Sequence, residues 1–167
     1  DFCIGNHLLE HTRNPIGGLC EFLRTLRPGG VAFVSVPDVG NPMDRGRSVT
    51  TFDHLLADHV PTNDRSTDDD RHYDESVAAA HPELKGGALR ELTDHFLRQA
   101  YSIHFHTFDE ASFRRLVGKA AELSGAVVEE YARNRTPEFD EYIAVLRRTG
   151  EAVVGTDSPR PAAAPIA

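Results

Sequence analysis

The stretch Asp1-Phe-Cys-Ile-Gly-Asn-His-Leu-Leu-Glu-His11 and the later apolar run Val31-Ala-Phe-Val-Ser-Val36 decide the fold class of this chain. Phe2–Ile4 is short and apolar and is followed by Gly5-Asn6. This pattern is typical of a strand that is buried on both faces of a parallel sheet and ends in a loop. The second run has the same character. We therefore predict two parallel strands, with the chemistry at their carboxyl ends.

The segment between the two strands carries the signals of a helix. Asn14 and Pro15 provide an N-cap and a first helical position, and Pro28-Gly29-Gly30 ends the segment. Apolar residues at helical spacing predict one face packed on the sheet, namely Ile16, Leu19, Cys20, Leu23 and Leu26. Strand, helix and strand together predict a βαβ unit.

The C-terminal region predicts one more helix and two strands. Thr107–Glu110 has the sequence of a capping box, and the helix that it opens should end at Gly125. Ala126–Ala132 and Phe139–Leu146 are predicted strands with a short link, hence antiparallel neighbours. The predicted buried face of the helix consists of Phe113, Leu116, Val117, Ala120 and Leu123.

Residues 38–103 are less regular. We predict helices over Thr51–His59 and Ala88–Ala100. For residues 61–76 a solvated, partly disordered loop stays open as an interpretation. The tail 151–167, with prolines among alanines, is predicted to be disordered.

The length and charge of the chain limit the kinds of molecule that it is expected to bind. The chain has 167 residues, enough for about one domain, and a formal net charge of -8. Nucleic-acid binding needs clustered positive charge, so we expect a small-molecule partner and no nucleic acid. Cys3 and Cys20 fall in predicted packing positions and indicate reduced thiols. We find no apolar run of membrane-spanning length and predict a cytoplasmic protein.

The motifs Leu9-Glu-His11 and Leu26-Arg-Pro-Gly-Gly30, set between two strands, resemble class I S-adenosylmethionine-dependent methyltransferases. The resemblance implies an α/β, Rossmann-like sheet of which this chain supplies strands four to seven. It implies a partial methyltransferase domain over residues 1–150, with residues 38–103 as a lid-like insertion that selects the acceptor. The chain would then be a fragment, without the glycine-rich loop that holds much of the cofactor.

The resemblance also implies a cofactor site at the first turn. In that family the turn after this strand lies beside S-adenosylmethionine, so Gly5, Asn6 and His7 are the predicted cofactor contacts. A simple turn made by Gly5 and Asn6 is the alternative.

A cluster of metal-competent side chains follows. If a helix begins near His7, then His7, Glu10 and His11 share one face at i, i+3 and i+4. Some class I methyltransferases bind a divalent metal through Glu-x-x-Glu-His at this position and a later histidine. This sequence keeps Glu10 and His11 but has His7 where the first Glu stands, and the later histidine has its candidate in Ile103-His-Phe-His106, with His104 the closer match. Imidazole-rich ligation favours zinc or iron over magnesium. Without metal, His11 or His104 would act as the general base, or the Glu-His pair would be structural.

Three functions stay open at this stage. The first is a methyltransferase acting on a small acceptor. The second is a non-catalytic half-domain that serves assembly or regulation. The third is a different, nucleotide-dependent α/β enzyme, in which Arg27-Pro-Gly-Gly30 is only a helix stop.

Overall fold

A computed structural model describes residues 1–60, 66–136 and 139–150. These residues form an α/β fold with a mixed four-stranded sheet in the order β1-β2-β4-β3. The strands are β1 (Phe2–Asn6), β2 (Val31–Pro37), β3 (Ala126–Arg135) and β4 (Asp140–Arg148). The helices are α1 (Pro15–Thr25), α2 (Phe52–His59), α3 (Ser66–Ala80), α4 (Gly86–Arg98) and α5 (Glu110–Ser124), and a 3-10 turn spans Leu9–His11.

The predicted βαβ unit is confirmed. β1 and β2 pair in parallel, from Phe2 beside Val31 to Asn6 beside Ser35. Helix α1 begins where the sequence predicts, because the Asn14 side chain accepts a hydrogen bond from the Gly17 amide. Its apolar face joins the main core together with β2 and α5.

The expectation that β1 is buried on both faces was wrong for this chain. β1 lies at one edge of the four-stranded sheet, and Phe2 and Ile4 are 74% and 57% exposed. A strand covered on both faces and both edges would bury such side chains. Among the described residues, only β2 pairs with β1.

The predicted C-terminal strands are confirmed as an antiparallel pair: β3 ends three residues later than predicted, and β4 begins one residue later and ends two residues later. β4 returns to the interior of the sheet and pairs antiparallel with both β2 and β3. The last strand of the described residues therefore lies between β2 and the strand that precedes it.

Helix α5 begins two residues later than predicted. Thr107 is not its N-cap, because the Thr107 hydroxyl donates to the Ser48 carbonyl and the next residue is bridged to Asp38. Asp109 caps the helix instead and forms a capping box with Ser112. The end at Gly125, in a left-handed conformation, is confirmed. Leu123, predicted to be buried, is 37% exposed.

The region between β2 and α5 is mostly helical. α2 and α4 confirm the predicted helices to within two residues at each end. Helix α3 shows that residues 66–76 are not a loop, while residues 61–65 and the tail 151–167 lie outside the described residues. Cys3 and Cys20 are free thiols. No helix in the described ranges is long and apolar enough to cross a membrane.

Candidate functional site

Three side chains meet beyond the carboxyl end of β1. Glu10 and His11 lie on the 3-10 turn, and His104 comes from the extended segment before α5. The Phe105 amide donates to the Glu10 carbonyl at 2.7 Å, which holds that segment against the turn. The potential ligand atoms of Glu10, His11 and His104 all lie within 4.8 Å of one another. We call these three residues the Glu10 cluster.

Hydrogen bonds fix the tautomers of both imidazoles. His11 Nδ1 lies 2.9 Å from the Ile103 carbonyl oxygen, which can only accept, so Nδ1 carries the proton. His104 Nδ1 likewise donates to Asp44 Oδ2 at 2.7 Å. In a neutral ring each Nε2 then carries a lone pair. This arrangement, a ring N–H held by a carbonyl or carboxylate, is the usual support of a metal-ligating histidine.

Asp44 is itself held in place. It is 1% exposed, and its two oxygens accept from Arg47 at 2.8 Å and from Asn41 at 2.6 Å as well as from His104. Burial alone would raise the pKa of Asp44, but the hydrogen bonds from His104 and Asn41 and the nearby positive charges lower it overall. Arg47 also donates to the carbonyls of His104 and Phe105. Asp44 therefore stays ionised and fixes the His104 ring.

The Glu10 carboxylate is the unusual group of the cluster. It is fully buried, and neither oxygen has a hydrogen-bond partner among the residues that the structure describes. Burial raises the pKa of Glu10. A buried carboxylate is normally paired, since desolvation of an unpaired charge is costly. Two imidazole nitrogens and this carboxylate form a donor set that suits a borderline divalent metal.

His7 does not share a helical face with Glu10 and His11. The expected helix does not form there, because His7 has a positive φ of 48° and the turn covers only Leu9–His11. Its Nε2 lies 2.9 Å from Glu141 on β4. The structure thus groups three of the four predicted metal ligands, and His7 is not in that group.

The predicted cofactor contacts Gly5, Asn6 and His7 lie at the end of β1. Asn6 is exposed and His7 is half-buried, so both are accessible from the sheet edge. Gly5 is buried, and a Cβ atom there would come within 3.1 Å of the Phe22 ring. Packing against α1 is therefore enough to explain a glycine at this position.

A cavity of about 150 Å³ adjoins the Glu10 cluster. His11 and His104 form part of its wall, and the rest is mainly apolar. A cavity of this size holds a group about as large as benzene. Its other lining residues come mostly from α3, α4 and the segment after α4: Met43, Ser76, Val77, Ala80, His81, Phe96, Tyr101, Ser102 and Ile103.

The sequence analysis missed a second group. His54, Asp58, His72 and His106 bring their potential ligand atoms within 4.8 Å of one another, and we call them the His54 cluster. His72 and His106 are both buried. The available signal was the i, i+4 spacing of His54 and Asp58 on a predicted helix, which places both on one face.

Comparison with family models, curated proteins and solved structures found no match to this chain. The described residues define an α/β fold with a buried carboxylate and two oriented imidazoles at the carboxyl edge of its parallel strands. In open α/β sheets this edge is where ligands bind.

Proposed function

We propose that this chain is the C-terminal half of an S-adenosylmethionine-dependent methyltransferase that acts on a small molecule. The order of the sheet carries the proposal. In the resembled family the last strand runs antiparallel and inserts beside strand five, between it and strand six. The order β1-β2-β4-β3, with β4 antiparallel to both neighbours, is the arrangement expected for strands four to seven.

The position of the Glu10 cluster supports the proposal. It lies at the same sheet edge as Asn6 and His7, the two accessible residues proposed to contact the cofactor. The 150 Å³ cavity beside His11 and His104 is lined by the helical insertion, which suits an acceptor site with one wall from the proposed lid. Acceptor and cofactor would then meet across the cluster.

The cofactor would supply an electrophilic methyl group on a sulfonium. What the protein must add is positioning and removal of a proton from the acceptor. His11 and His104 are the proposed groups for proton removal, each through Nε2, because each Nδ1 is held by another residue. The alternative role for the same residues is metal ligation together with Glu10, whose buried carboxylate fits a cation.

The test uses a longer protein that carries strands preceding Phe2, assayed with labelled S-adenosylmethionine and a panel of small hydroxyl and amine acceptors. His11→Asn and His104→Asn should each lose turnover, whereas His95→Asn, on the exposed side of α4, should not. Loss of turnover and of bound metal together would indicate ligation, and loss of turnover alone would indicate a base. Absence of methyl transfer to any acceptor would count against the function.

A second test of the proposed function uses the 167-residue chain by itself. Because it offers few residues to the cofactor, we expect it to bind S-adenosylmethionine weakly or not at all in calorimetry. Micromolar binding would mean that the cofactor lies elsewhere. A cytoplasmic location stays a prediction.

The exposed edge of β1 favours one other function, a non-catalytic half-domain that completes its sheet with another chain. Phe2 and Ile4 are exposed on a strand with one paired edge among the described residues. An exposed apolar strand edge pairs readily with further strands. Stable assembly with a partner, combined with no turnover by the longer protein, would support this second function.

A further inference from the structure

The His54 cluster joins three parts of the fold. His54 and Asp58 lie on α2, His72 lies on α3, and His106 lies on the extended segment before α5. Asp58, His72 and His106 are 8%, 6% and 0% exposed. Apart from His54, the group is buried, and no residue of it belongs to the Glu10 cluster.

All six distances between the potential ligand atoms are within 4.8 Å, and three of them can be compared with those of a small coordination sphere. His54 Nε2 lies 3.3 Å from His72 Nε2 and 3.2 Å from Asp58 Oδ2. In a tetrahedral site with metal–ligand bonds of about 2.0 to 2.1 Å, ligand atoms are about 3.3 to 3.4 Å apart. The third distance, 2.8 Å between His106 Nε2 and Asp58 Oδ2, would open by about half an ångström on coordination.

The hydrogen bonds of His106 point to a cation at this place. Its Nδ1 lies 3.0 Å from the Thr12 carbonyl, and its Nε2 lies 2.8 Å from Asp58. Both neighbours are acceptors, whereas a neutral imidazole has one N–H. If Nδ1 donates to Thr12, the Nε2 lone pair faces the carboxylate. Either a second proton on the ring or a metal ion between the two groups resolves this conflict, and Nδ1–H bonded to a carbonyl is the usual support of a ligating ring.

The donor set selects the metal. Three imidazole nitrogens and one carboxylate suit zinc and other borderline ions, whereas magnesium prefers oxygen. Four protein ligands without an open position are typical of a structural site.

The Arg71 side chain would change position when the metal binds. Its guanidinium lies 3.1 Å from His54 Nδ1 and can only donate, so Nδ1 must be the acceptor in the metal-free chain. Ligation through Nε2 puts the proton on Nδ1, so this exposed arginine has to move away.

We propose that His54, Asp58, His72 and His106 form a structural zinc site that fastens α2 and α3 to the segment before α5. This site is separate from the Glu10 cluster and does not depend on the proposed methyl transfer. Because a metal that joins distant segments stabilises the folded state, its binding energy would contribute directly to the order of the insertion.

The experiment is a cobalt titration of the chelator-treated 167-residue chain. Cobalt in a tetrahedral site gives intense visible absorption bands, and zinc should remove them by displacement. Both clusters are candidate metal sites, so the titration is run on Glu10→Gln, which lacks the carboxylate of the Glu10 cluster. We expect one such site per chain in that variant, retained when His59→Asn, a control on the same helix, is added. Adding His72→Asn should abolish the bands, and adding Arg71→Ala should leave binding at least as tight.

Zinc-dependent thermal stability is the second measurement. Excess zinc should raise the melting temperature more for wild type than for His72→Asn or His54→Asn. His54→Asn is included because His54 is less buried, so that this variant still folds if His72→Asn folds poorly. Hydrogen exchange should slow in α2 and α3 on zinc addition. The proposal is overturned if Glu10→Gln gives only weak, octahedral-type cobalt absorption, or if its bands survive both when His72→Asn is added and when His54→Asn is added.

Discussion

Replacing Glu10 by methionine tests whether this carboxylate is placed for a cation. Glu10 is fully buried, and neither oxygen has a hydrogen-bond partner in the described part of the chain. A buried polar group without a partner costs about 1 to 3 kcal/mol. Methionine has a similar length and little to desolvate. We therefore expect Glu10→Met to increase the free energy of unfolding of the metal-free chain by about 1 to 3 kcal/mol near pH 8.

The gain should depend on pH. Burial raises the pKa of Glu10 above its ordinary value of 4.5, so the folded chain binds this proton more tightly than the unfolded chain. The wild type therefore gains stability as pH falls through the folded pKa, and this gain is complete below the unfolded pKa. The variant lacks this dependence. Its advantage should be largest at alkaline pH and should shrink towards pH 4.5.

Urea denaturation with EDTA at both ends of this pH range measures the effect, and Glu91→Met, at an exposed position on α4, is the control. Excess zinc should reverse the order of wild type and Glu10→Met, since a ligand at 100 times its dissociation constant adds about 2.7 kcal/mol to the state that binds it. A loss of stability in Glu10→Met with EDTA at pH 8 would refute the reasoning, because the carboxylate would then make a stabilising contact.

Two further predictions concern neighbouring features. Asp44→Asn should weaken metal binding at the Glu10 cluster about 10- to 100-fold in a chelator competition, because the carboxylate orients His104. Asp53→Asn, at an exposed position, is the control. Unchanged affinity in Asp44→Asn would show that His104 needs no such support. The chain should self-associate through β1 in sedimentation, and Ile4→Lys should shift it towards monomer; a monodisperse wild-type monomer would argue against an edge that requires a partner.

Local signals predicted most of the fold. Asn14 and Pro15 set the start of α1 because a side-chain cap acts within three residues. The start of α5 was harder, since Thr107 and Asp109 both precede a possible capping partner by three residues. The choice depends on Ser48 and Asp38, which are distant in sequence and hold the chain extended up to Phe108.

The candidate site was predictable only in part for the same reason. The motif Leu9-Glu-His11 indicated a site, and His104 joined it as expected, but no local pattern indicated that Glu10 would be fully buried. One segment held against Glu10 lies more than 90 residues away in the chain, since the Phe105 amide donates to the Glu10 carbonyl. His7 failed to join the face because a three-residue turn, not a helix, follows β1.

The segment Ser102–Thr107 connects the two clusters. His104 belongs to the Glu10 cluster and His106 to the His54 cluster, with one residue between them. The backbone of this segment is bonded to Glu10, and the Arg47 side chain donates to two of its carbonyls. A shift of α2 or α3 that carried the backbone of His106 with it would have to break these bonds or displace His104 as well. A metal bound at one cluster would therefore hold a backbone segment that also supplies a side chain to the other cluster.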